Sequence, residues 1–184
     1  MPEVRMPAVW QGGAMATPGA IGALLGKAAS VISAPPRLYG AALRAGAGPR
    51  GAVEVLRISE AALRAAAAHA GGVPGRTNAV RHFLWQALLT ARLGRAVAQE
   101  VANAQESGNT RLRDSEVDGH NNAAGQQYGA AHAPRLGAGP LGAAVTALVP
   151  VALEKWDAGE LLWVRPRRHR GPTEDAGPVT DPTP

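Results

Sequence analysis

The chain of 184 residues has no cysteine, and aromatic residues make up only 4% of it. The missing cysteine excludes a disulfide framework, a thiolate metal centre and a cysteine nucleophile, while leaving the compartment open. Scarce aromatics mean that large rings cannot fill a core. Closely approaching helices with small side chains must supply it, helped by a few Leu, Val and Trp. Long apolar runs are missing too. The stretch from Gly19 to Ala34 is interrupted by Lys27 and two serines and is short for a membrane span, so no transmembrane segment is expected. Glu3 and Arg5 precede a glycine-broken segment, which gives no signal peptide. The location therefore stays open between export by a dedicated secretion route and the cytoplasm. Standard catalytic signatures are also missing: there is no nucleophile elbow for Ser/His/Asp catalysis and no phosphate-cradling glycine loop.

What is present is alanine, glycine and arginine. The net charge is +5, concentrated in the first hundred residues, with the arginines scattered rather than blocked. A basic first half suits nucleic acid or an anionic surface, but without aromatics interleaved among the arginines it reads better as solvated helix faces. The one dense cluster, Arg165, Arg167, Arg168, His169 and Arg170, opens a Pro/Gly/Thr-rich tail. Composition divides the chain into a Gly/Ala/Pro-rich leader or arm over 1–50, a helical domain over 51–164, and a disordered tail, basic then acidic, over 165–184. The expected fold is all-α: a compact single-domain helical bundle with flexible N-terminal and C-terminal segments.

Periodicity predicts the helices. Val53, Leu56, Ile58 and Leu63, with charges between them, give an amphipathic helix from Gly51 to Ala70. Thr77 or Asn78 would cap a second helix running to Leu93, apolar nearly all round and so destined for the middle of the domain. A third spans Arg95 to Glu106. A fourth runs from Leu112 or Asp114 to Ala131, and a last one covers Leu141 to Ala158 with an interruption near Pro150. Leu161 to Val164 forms a strand or an apolar clamp.

The fourth helix breaks the pattern. Asp114, Asp118, Asn121, Asn122, Gly125, Tyr128, Gly129 and His132 fall within one arc of roughly 120° at the helical repeat. Burying those polar groups unpaired would cost about 1–3 kcal/mol each, so the face must meet matched partners, water or a ligand. On the second helix Asn78, His82, Trp85, Gln86 and Leu89 share one side, and Arg81 beside His82 needs a carboxylate or an anion. Glu106, Asp114 and Asp118 are the available acids. Asn121 and Asn122 either present hydrogen bonds to a substrate or lock two helices together. His82, Glu106, Asp118 and His120 offer nitrogen and oxygen ligands without a metal-binding spacing, and His120 points off the polar arc, so no metal is assigned and no cofactor is named.

The ordered pair Arg81-His82-x-x-Trp85 and Asp118-x-x-Asn121-Asn122-x-x-Gly125 resembles the signature of a bacterial all-helical family without an assigned reaction, found as a small domain in exported or polymorphic-toxin-like proteins. The resemblance runs from Gly75 to Gly129, with a weaker echo at Ala158-Gly159-Glu160-Leu161. Similar proteins carry His-Glu where Gln105-Glu106 stands here, and an acidic residue in place of Asn78. What the resemblance implies is a toxin-like or effector-like role, with an immunity or carrier protein as partner. The expected site is that of a hydrolase. In it His82 is the general base, Asp118 or Glu106 orients it, Arg81 binds an anionic group, and Asn121 with Asn122 polarises the scissile bond. The alternatives are a non-enzymatic helical module in which these residues form a structural network, and a basic nucleic-acid-binding module.

Overall fold

The computed structural model of the chain describes residues 35–73, 75–107 and 112–163, with side chains in the last stretch from residue 115 onward. The leader up to residue 34, the side chain of Asp114, Val164 and the basic cluster at Arg165–Arg170 lie outside the described residues.

All regular structure among the described residues is helical. Helix α1 covers 35–44. It is followed by α2 (Gly48–His69), α3 (Arg76–Leu93), α4 (Arg95–Glu106), α5 (Leu112–Ala131), the single turn α6 (Ala133–Leu136) and α7 (Leu141–Asp157). Helix α1 falls within the stretch expected as an arm, yet its Leu38, Ala41 and Ala42 are buried in the core.

Helix α3 is the axis of the molecule. Every residue from His82 to Thr90 is buried, and α2, α4, α5, α6 and α7 all pack on it. An all-round apolar helix survives only with neighbours on every side. Trp85 is tied in place by its indole N–H, which donates to Ser59 Oγ at 2.9 Å. Arg92 near the end of α3 reaches Glu54 on α2 at 3.0 Å and the carbonyls of Leu136 and Gly139 at 3.2 and 3.0 Å, stapling three parts of the chain.

Several local expectations need correction. The buried stripe of α2 is Ala52, Val55, Ile58, Ala62, Ala65 and Ala66, while Val53 and Leu63 face solvent. Alanines dominate this stripe and let the two backbones approach, with Val55 and Ile58 filling the space between them. Gly75, not Thr77 or Asn78, precedes the first turn of α3, in the left-handed region at φ 78°. A Cβ there would also meet the Trp163 side chain at 2.6 Å. Thr77 instead donates to the Ala70 carbonyl at 3.0 Å, and Asn78 looks across to α5. Helix α7 runs through Pro150 unbroken. Proline forfeits one backbone hydrogen bond there, and burial of Leu148, Val149 and Ala152 in the core holds the helix together around it.

Candidate functional site

The chain crosses back through α4 between α3 and α5, so those two helices run parallel, and their polar residues meet in steps of one helical turn. Asn78 Nδ2 donates to Asp118 Oδ1 at 2.7 Å. One turn on, His82 Nδ1 and Asn122 Oδ1 are 2.8 Å apart. A further turn on, Gln126 Nε2 donates to Gln86 Oε1 at 2.9 Å. Each pair is separated by 40 residues, which defines one fixed register.

Glycines make that register possible. A Cβ at Gly125 would stand 2.6 Å from the Phe83 carbonyl oxygen, and one at Gly129 only 2.2 Å from that of Ala87. The backbone of α5 thus lies directly against a carbonyl ridge of α3, bringing the short amide side chains within reach of each other. Tyr128 rests against Phe83 with ring centroids 5.6 Å apart. His132, at the end of the polar arc, is exposed and stacks on Tyr128 away from the ladder.

His82 is the centre of the ladder and has no exposed surface. Asn122 Oδ1 can only accept, so the ring proton belongs on Nδ1, assigned from the hydrogen-bond partners. The Nε2 lone pair then faces Arg81 Nη2 at 2.6 Å, while Asp118 Oδ2 lies farther off at 3.4 Å. Burial first and the Arg81 charge second push the pKa of His82 down to about 3, against a smaller upward pull from the Asn122 hydrogen bond. At neutral pH the ring is neutral and both nitrogens are engaged. Arg81 also donates to Asn78 Oδ1 at 2.9 Å. Burial lowers its pKa, opposed by the charges of Asp118 and Glu106.

Of the residues expected in the site, Arg81, His82, Asp118 and Asn122 come together. Glu106 and Asn121 do not join them by hydrogen bonds. Asn121 is fully buried and turns to the segment after α7, where its Nδ2 donates to the Leu162 carbonyl at 3.0 Å and its Oδ1 accepts from the Leu162 N–H at 2.9 Å. The side-chain amide imitates a strand partner, and the Leu161–Trp163 segment acts as a clamp, with Leu161 buried. His120, off the arc as expected, bonds to the Glu160 carbonyl at 2.9 Å and fastens the same segment. Glu106 ends α4 beside a cleft of about 100 Å³ between α4 and α5, and its Oε2 is buried with no hydrogen-bond partner. Among the described residues no group of three or more acidic, histidine or cysteine side chains is placed to hold a metal ion, and no helix is long and apolar enough to cross a membrane.

Sequence reasoning missed Gln126 and the pairing of Asn78 with Asp118. Both stood in the signal: Gln126 follows Asn122 by four residues, and Asn78 precedes His82 by four.

The chain belongs to the family described as Domain of unknown function (DUF6973), whose model matches residues 45–141, more than half of the chain. That range contains α2 to α6 whole, and with them every rung of the ladder. Comparison with curated proteins gives no match, and neither does comparison with solved structures.

Proposed function

We propose that this chain is a non-enzymatic helical module in which Asn78, Arg81, His82, Asp118, Asn122 and their neighbours form a structural network that fixes the register of α3 against α5. The observation that carries the reading is the state of His82: unexposed, hydrogen-bonded at both nitrogens, and with its pKa pushed down to about 3. A general base works best with a pKa near the operating pH and a lone pair open to the substrate, and this imidazole offers neither. A buried polar network whose cross-helix pairs are made rigidifies and specifies a single packing, and here each of the three pairs is made, with Gln86 Nε2 left buried and unbonded beside the last. Helix surfaces as rich in alanine as these have little shape of their own to choose a register, and the ladder supplies the choice.

The test is a double-mutant cycle of His82 with Asn122, read by thermal or denaturant unfolding. The structural reading expects a coupling of about 1–2 kcal/mol between the two positions, and Asn122→Ala alone to cost about 2 kcal/mol by leaving the imidazole N–H unpaired. Additive effects would remove the basis for it.

A second reading, a toxin-like or effector-like hydrolase, is favoured by the convergence of Arg81, Asp118 and Asn122 around one imidazole and by the resemblance of their motifs to exported, toxin-like proteins. In that reading a carboxylate rather than the histidine takes the proton, Asp118 being the nearer candidate and Glu106 the other, while Arg81 holds an anionic group. Its mark is an Asp118→Asn variant that keeps its fold and loses a growth-inhibiting activity in a host lacking an immunity partner. Unchanged growth with both the parent and the variant counts against it.

A further inference from the structure

Where α5 faces α4, two ladder residues border a cleft in which one further polar group is left unsatisfied. The cleft between α4 and α5 is lined by Gln99, Asn103, Glu106, Asn122 and Gln126 over a floor of Ala102, Gly119 and Ala123. Glu106 Oε2 is buried there without a hydrogen bond. The acid closes α4, whose last turn has no basic residue. The carbonyl end of the helix and the carboxylate therefore add negative potential to the same place, where a cation is the natural complement.

The nearby guanidinium does not meet that need. Arg81 feels the charge of Glu106, but its Nη2 is committed to Asn78 and His82, and no hydrogen bond joins it to the acid. The amides are also committed in one sense only. Gln126 gives its Nε2 to Gln86, which leaves Oε1 as an acceptor, and Asn103 Oδ1 already accepts from Gln99. A carboxylate oxygen and an amide oxygen in a small cleft ask for N–H donors carrying positive charge. One carboxylate among amides is a poor cage for a divalent metal, which takes six or more oxygen ligands or keeps much of its water. The space admits a group of only a few heavy atoms.

We propose that the α4–α5 cleft is a binding site for a small nitrogen cation, an alkylammonium or alkylguanidinium head group, held by Glu106 and Gln126. The group comes either as a free amine or as the tip of a basic side chain presented by a partner. The site shares Asn122 and Gln126 with the ladder and adds Glu106, which no ladder hydrogen bond uses, so Glu106→Gln tests the site without breaking a rung.

The experiment titrates the whole chain with propylammonium and with methylguanidinium while following the side-chain amide signals of Asn103, Asn122 and Gln126 by NMR, with tetramethylammonium as a cation that has the charge and no N–H. Saturable shifts at those amides with the first two probes and none with the third are expected, at millimolar affinity as befits so few atoms. Glu106→Gln should weaken binding about tenfold, the gap between a charged and a neutral hydrogen bond, and Ala123→Leu should abolish it by filling the cleft. An unchanged backbone spectrum and melting temperature for Glu106→Gln separate loss of the site from loss of the fold. Equal shifts with tetramethylammonium, no saturable shift with either N–H cation, or full binding by Glu106→Gln would overturn the proposal. A lysine-containing and an arginine-containing tripeptide, run beside the free cations, tell the two sources apart: tighter binding by a peptide points to a protein partner, and binding by the free cations alone points to a small amine.

Discussion

Helix α5 has two polar sides, and they have opposite fates. Toward α3, each of Asp118, Asn122 and Gln126 meets a partner on the facing helix, and glycines bring the backbones together. Toward α4, Asn122 and Gln126 also border a cleft with Gln99, Asn103 and Glu106, and one Glu106 carboxylate oxygen is left without a hydrogen bond. Residue type alone does not distinguish the two sides. What separates them is backbone distance: where glycine lets α5 touch α3, amides bond to amides, and where Ala102 and Ala123 face each other beside Gly119, a gap remains that a ligand can enter. Stability should therefore reside in the first side and binding in the second.

That contrast can be broken most violently at Gly129. Replacing it with Leu drives a side chain into the Ala87 carbonyl, so α5 must leave α3, and the cooperative melting transition should disappear; Gly129→Ala, forced apart by one methyl, should cost about 3 kcal/mol in denaturant unfolding. Next in size is pH. The unfolded histidine titrates near 6.5 and the folded one at about 3. Only the unfolded chain binds the proton between those values, so the contribution of His82 is full above pH 6.5 and lost as the pH falls toward 3, by up to about 1.4 kcal/mol per pH unit. A His82→Gln variant should show a flatter acid limb in the same measurement. Asn121→Ala, which unpins Leu162, should cost about 1 kcal/mol and speed hydrogen exchange at the Leu162 amide. At the small end, Thr90→Val should be neutral or slightly stabilising, because the Thr90 hydroxyl is buried without a partner. Glu106→Gln should leave the melting temperature unchanged; a large drop there would erase the distinction between the two sides.

The sequence carried the architecture through α3 and the polar arc of α5, since a helix apolar on all sides has to be central and a polar face inside a helical core has to be matched. Membership of the ladder was half visible, as steps of four from His82 and from Asn122. The pairing itself was hidden, because it depends on how α4 and its two connections offset one helix against the other. Asn121 was read as a substrate contact. Its partner is the backbone of Leu162, and backbone atoms leave no mark in a pattern of side chains. The burial of α2 was legible at Ile58 and masked elsewhere: Val53 and Leu63 carry apolar signal yet are exposed, while four alanines join Val55 and Ile58 in the buried stripe. Glu106 stands out in the sequence as an available acid, and the structure sets it at the end of α4 beside the amide cleft, where its charge reaches Arg81 without a hydrogen bond to the histidine network.

The central claim is that His82 is a locked, neutral part of the framework, and its ring can be watched directly. Nitrogen-15 spectra of the imidazole through a pH titration should show a single tautomer protonated at Nδ1, unchanged from neutral pH down to the onset of unfolding. A ring that titrates near its ordinary 6.5 in the folded protein, or that exchanges between tautomers, would contradict it.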